Sequence, residues 1–91
     1  MYTLVWTAAF TRAAEGFVQA HPERRVRLAA ILRDLESDPF QPHLRYHPLS
    51  GRLKGFQAVS VTHDYRIILR VEIKDKEIIL LDIGSHEEVH R

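Results

Sequence analysis

The sequence predicts an α+β domain of order β-α-α-β-β-β, in which two N-terminal helices pack on one face of a curved, mainly antiparallel sheet. Three observations predict it. Apolar residues recur at helical spacing between Ala8 and Glu36, and they alternate at strand spacing after Lys54. The 91 residues are enough for one hydrophobic core and too few for two. Residues 1–91 are therefore read as a single domain with no internal repeat and no linker.

Each element has its own signal. Tyr2 to Trp6, "YTLVW", alternates and is rich in β-formers, which predicts a first strand. Thr7 then suits a helix N-cap. From Ala8 to Gln19 the apolar residues Phe10, Ala13, Ala14, Phe17 and Val18 form one helical stripe. Pro22 ends that helix and opens the next, where Glu23 favours the dipole. Val26, Leu28, Ala29, Ile31, Leu32 and Leu35 continue the helical period to about Glu36, and these positions and Trp6 are expected in the core. "SDPFQP" breaks the chain before an irregular stretch that reaches Gly51. The runs "LKGFQAVSV", "YRIILRVEI" and "EIILLDI", joined by "THD" and "KDK", then read as an antiparallel meander. In the middle run Tyr65, Ile67, Leu69 and Val71 should face one way, and Arg66, Ile68, Arg70 and Glu72 the other.

With 45% hydrophobic and 27% charged residues the composition is that of a globular domain, and its longest apolar runs, such as "IILL", are of strand length. No membrane partner is expected. "MYTLVWTAAF" lacks a basic region followed by a long apolar stretch, so a cytoplasmic location is expected. Cysteine is absent, which excludes disulfides and thiolate chemistry. Net charge is only +1, but Arg45, Arg52, Lys54, Arg66 and Arg70 stand against Asp64 alone, a net +4 over residues 45–70. Such a field attracts phosphates, and it also suits a solvated strand face.

The chain closes with "GSHEEVHR", in which His86, Glu87 and His90 spell H-E-x-x-H, a zinc-ligand pattern. That chemistry needs both imidazoles on one helix face with a third ligand nearby. Only Arg91 follows His90, and an apolar strand precedes the motif, so the segment is far shorter than the ~12 residues a marginal helix needs. The spelling reads as accidental, and no metal or cofactor is expected. His43 and His47 are also four apart, but Pro42 and Pro48 flank them, which argues against a helical zinc pair.

Three stretches carry a family resemblance: "HPLSG-x-x-KG" at His47 to Gly55, "DYRI" at Asp64 to Ile67, and "IGSH" at Ile83 to His86. Together with the strand-helix-helix-sheet order, the chain resembles the RelE/ParE superfamily of bacterial type II toxin-antitoxin toxins, most closely its YafQ-like branch. The resemblance implies a ribosome-dependent endoribonuclease that cuts mRNA in the ribosomal A site. It also implies a cognate antitoxin, with operator DNA bound through that antitoxin. His47, Asp64 and His86 match functional residues of the YafQ-like branch, and Arg66 matches the arginine with which RelE holds the scissile phosphate. Ser60 stands where the branch has a further histidine, Tyr65 stands for its tryptophan, and His90 lies where the wider family often has an aromatic residue. Gln57 and Val59 occupy the places of RelE's paired basic residues.

Metal-free RNA cleavage requires a base for the 2′-OH proton, an acid for the departing 5′-oxygen and a cation for the phosphate charge. Imidazoles can serve in both proton-transfer roles, and a guanidinium fork matches phosphate oxygens. His86 is accordingly expected as leading acid or base, His47 as its counterpart, Asp64 as orienter or second base and Arg66 as phosphate clamp. Arg52, Lys54, Tyr65 and His90 would hold the RNA, Tyr65 by base stacking. Structural readings compete with these roles. His63 and Asp64 suit a turn, and Arg66 could pair with Glu72 or Asp82. At the level of function, a ParE-like gyrase inhibitor and a catalytically degenerate family member remain the alternatives.

Overall fold

The computed structural model describes residues 1–85. Strand β1 (Thr3–Trp6) passes through Thr7 into helix α1 (Ala8–Ala20), and a 3-10 turn at Pro22–Arg24 leads into helix α2 (Arg25–Ser37). The second half holds 3-10 turns at Pro42–Leu44 and Gly51–Leu53, with strands β2 (His47–Pro48), β3 (Gln57–Ser60), β4 (Tyr65–Glu72) and β5 (Glu77–Ser85). The five strands lie in the order β1-β5-β4-β3-β2. All neighbours are antiparallel except β1, which runs parallel to β5 with Trp6 opposite Leu80. The sheet is thus mixed.

Thr7 joins local to long-range order. Its hydroxyl oxygen accepts from the Phe10 N–H at 3.1 Å, capping α1, and the same hydroxyl donates to the Leu80 carbonyl at 2.7 Å. One side chain therefore starts α1 and ties it to β5. From α1, Phe10, Ala14 and Phe17 are buried, and from α2, Leu28, Ile31 and Leu35. They meet Val59, Val61, Ile67, Leu69, Ile78 and Leu80 on one face of the sheet. Each large side chain so buried contributes roughly 1.5–3 kcal/mol.

Two stretches depart from the simple pattern. His47 and Pro48, expected in an irregular region, pair with Ala58 and Gln57 as a short edge strand. An edge suits proline, which has no N–H to donate inward. In β5 the pairing shifts between Ile68 and Leu69, whose partners are Asp82 and Leu80. Leu81 is the extra residue of a bulge. The bulge reverses the alternation, so Leu80 and Ile83 both serve the helix-side core, whereas Leu81 joins Leu49, Leu53, Phe56, Ala58 and Ile68 in a smaller cluster on the opposite face.

Three expected core residues lie outside it: Trp6, Val26 and Ala29 are all exposed. Trp6 is 49% exposed and sets its ring edge-on to Phe10 at 4.9 Å, and Val26 is 77% exposed. Trp6 stands at the end of an edge strand, and Val26 at the start of α2 on the side away from Leu28, Ile31 and Leu35. Position within the tertiary structure outweighs hydrophobicity in both cases.

Candidate functional site

The sheet face opposite the helices carries His47 and Arg66 of the expected side chains. Directly paired residues share a face, so His47, Ala58, Ile68 and Asp82 form one row, and Ser60, Arg66 and Gly84 the next. His47 and Arg66 sit two strands and two residues apart, roughly 12 Å between Cα atoms from ordinary strand spacing and rise. Side chains of their length can converge on one ligand group. The 3-10 turn Gly51–Leu53 covers the apolar part of this face through Leu49, Leu53 and Phe56. Gly51 (φ 65°) and Gly55 (φ 97°) bracket that turn in the left-handed region. Arg52 and Lys54 lie between them, both exposed.

The polar geometry is specific. His47 Nδ1 lies 2.8 Å from the Arg45 carbonyl. A carbonyl only accepts, so Nδ1 carries the proton and Nε2 is the basic nitrogen of the neutral ring. Arg66 Nη1 donates to the carbonyls of His63 (3.1 Å), Thr62 (3.3 Å) and Tyr65 (3.4 Å). Among the described residues its Nε and Nη2 donate to nothing, and it forms no ion pair. The cross-strand pairing of Arg66 with Glu72 or Asp82 does not occur: Arg70 holds Glu72 at 2.7 Å, and Asp82 accepts from the Ile83 N–H at 2.8 Å. Asp64 and His63 are exposed in the β3–β4 connection.

Tyr65 lies on the other face. Its ring packs edge-on against Phe17 at 5.1 Å and against His21 at 5.3 Å, with the Arg24 guanidinium 5.7 Å from its centre. Its hydroxyl is hydrogen-bonded to His21 Nε2 at 3.3 Å. The expectation that Tyr65 offers a stacking platform beside Arg66 meets a ring already used to seat α1 on the sheet. The cause is strand alternation, which sends neighbours to opposite faces. His86 and His90, and the H-E-x-x-H stretch with them, lie outside the described residues. Among the described residues no three His, Asp or Glu side chains gather as a metal site. His43 Nε2 is bonded to Asp34 Oδ2 at 2.8 Å, away from His47.

The family model for the YafQ toxins, bacterial toxins of type II toxin-antitoxin systems, matches residues 2–91. This chain belongs to that family. No curated protein sequence matches the toxin, but solved structures share its fold. YafQ from E. coli has a TM-score of 0.77 at 18% identity, covering 97% of both chains. A metal-bound toxin from Helicobacter pylori has a TM-score of 0.78 at 23% identity, covering 98% of this chain and 99% of its own. The RelBE2 toxin-antitoxin complex from Mycobacterium tuberculosis contains a chain with a TM-score of 0.74 at 19% identity, covering 93% of the toxin and 98% of that chain.

Sequence reasoning missed a second part of the toxin's basic surface. A cavity of about 360 Å³ opens between α2 and the β3–β4 connection, and Arg27, His43, Arg45, Ser60, Thr62 and Arg66 are among the residues that line it. Arg27 had no signal beyond its place on the polar side of α2. Arg45 precedes the recognised motif by two residues and adopts a left-handed backbone, φ 55° and ψ 44°, which is uncommon for a residue with a side chain.

Proposed function

We propose that this toxin is a ribosome-dependent endoribonuclease that cuts mRNA in the A site without a metal and is held inactive by a cognate antitoxin. The observation that carries the reading is the sharing of one open sheet face by His47, whose Nε2 is its basic nitrogen, and Arg66, whose Nε and Nη2 have no partner among the described residues. In the proposed reaction a base takes the 2′-OH proton, the 2′-oxygen attacks phosphorus, the bond to the 5′-oxygen breaks, and an acid returns a proton to that oxygen. His86 and His47 are the acid–base pair, Asp64 orients an imidazole, and Arg66 steadies the charge on phosphorus. Arg52, Lys54 and His90 hold the RNA backbone. Tyr65 keeps its packing role.

Family membership supports the antitoxin, which in turn would carry the complex to operator DNA. Among the described residues no helix is long and apolar enough to cross a membrane. The ribosome enters the proposal because a few side chains on an open sheet cannot by themselves orient RNA, and orientation supplies several kcal/mol of a barrier.

The test is to map the 5′ ends of cellular mRNA after brief induction. It is paired with assays of the purified toxin on ribosome-bound and free transcripts in the presence of a chelator. Codon-phased cuts, confined to ribosome-bound message and insensitive to the chelator, are expected. Intact mRNA with DNA damage would replace this reading with gyrase inhibition, and equal cutting of free RNA would remove the ribosome from it.

A further inference from the structure

We propose that the cavity between α2 and the β3–β4 connection is a second phosphate subsite, in which Arg27 and Arg45 hold the mRNA backbone beside the scissile phosphate that Arg66 engages. This rests on the RNA-cleaving reading and assigns binding roles to Arg27 and Arg45. The cavity's volume of about 360 Å³ corresponds to roughly a dozen water molecules at ~30 Å³ each, so it admits a nucleotide-sized group as well as a bare ion. Among the described residues its lining carries three guanidiniums and two imidazoles and no carboxylate. The nearby Asp34 accepts from His43. By contrast, Arg70 and Arg24 both meet glutamates, Glu72 at 2.7 Å and Glu23 at 3.5 Å.

Two of the arginines are already positioned. Arg27 Nε donates to the Val61 carbonyl at 3.0 Å, and Arg66 Nη1 donates to carbonyls one to four residues further along the chain. Elements distant in sequence are thereby drawn to one turn, and part of the ordering cost of binding is met by folding. Arg27 retains its two terminal nitrogens, and Arg66 retains Nε with Nη2, so each presents the paired N–H groups that grip phosphate oxygens. Thr62 also lines the cavity, and its Oγ1 is buried without a hydrogen-bond partner among the described residues. Arg45 completes the set and links it to the cleavage site: its side chain lines the cavity, and its carbonyl accepts the His47 Nδ1 proton.

The experiment measures binding of a short single-stranded RNA oligomer, by fluorescence anisotropy across a salt series, to wild type, Arg27→Gln and Arg45→Gln. Mapping of mRNA ends runs in parallel. Each variant should bind about tenfold more weakly and lose roughly 0.7 from the slope of log affinity against log salt, the value of one phosphate contact on a single strand. Arg45 makes no side-chain bond among the described residues, so its variant reports on binding even if Arg27→Gln folds poorly. Unchanged affinity and slope in a folded Arg45→Gln variant would overturn the subsite. Loss of binding to vacant ribosomes with undiminished oligomer binding would also overturn it, by assigning these arginines to ribosomal RNA. If wild type binds the oligomer with the expected slope but cuts no mRNA, the nuclease reading fails and the subsite stands.

Discussion

At Arg66 one nitrogen is committed to the backbone carbonyls of Thr62, His63 and Tyr65, and the paired Nε and Nη2 groups remain for a ligand. Lysine would keep the charge and lose the fork. Arg66→Lys should therefore lower the rate of mRNA cleavage on ribosomes by about 10²-fold, in line with the loss of a positioned oxyanion donor. Single-turnover cleavage by a folded variant checks this, and a near-wild-type rate would show that charge alone suffices. Tyr46 offers a test of the fold by titration. Its hydroxyl is pushed above its ordinary value of 10.0, first by burial and then by Tyr2. A raised folded pKa favours the neutral phenol, so its stabilisation is fully present below pH 10 and lost as pH rises through the folded value. Wild type should lose more stability than Tyr46→Phe between about pH 9 and about pH 11, measured as urea midpoints. Parallel losses would remove Tyr46 as a source of the alkaline sensitivity.

Within elements, the decisive joint is the passage from β1 to α1. Thr7 caps the helix and also reaches the Leu80 carbonyl, 73 residues away in sequence. Thr7→Ala should cost about 1–2 kcal/mol, the upper part of the usual range for a lost cap. Thr7→Ser, which keeps the hydroxyl, should recover most of it. Urea denaturation of the two variants decides, and equal stability of Ala and wild type would mean that neither bond matters. The stripes Phe10/Ala14/Phe17 and Leu28/Ile31/Leu35 were readable because each helix face is written in its own residues. The break in β5 was not. In "IILLDI" every residue before Asp82 is apolar, so no polar position marks where Leu81 leaves the alternation.

Across the whole toxin, charge is distributed rather than large. A net +1 conceals +4 over residues 45–70, and the cavity adds Arg27 to that surface. Association with ribosomes should therefore weaken steadily with salt as contacts to RNA release counterions. Co-sedimentation over a sodium chloride series measures it. Association that ignores salt would point to an apolar docking mode and away from this basic face.

Both helices, the strands β3, β4 and β5, the two faces of β4 and a motif set sufficient for the family were legible in the sequence. These are local matters: periodicity and turn chemistry act between residues a few positions apart. The tertiary structure alone decided that β1 joins β5 in parallel, that His47 and Pro48 form the far edge, and that Trp6 is left half-exposed. It also decided the use of neighbouring site residues, setting Tyr65 under α1 while Arg66 faces the other way beside Ser60. Arg27 and Arg45 come to the same cavity only because α2 packs across the sheet to the β3–β4 connection. Such meetings depend on how the elements close around a shared core, and no spacing along the chain encodes them.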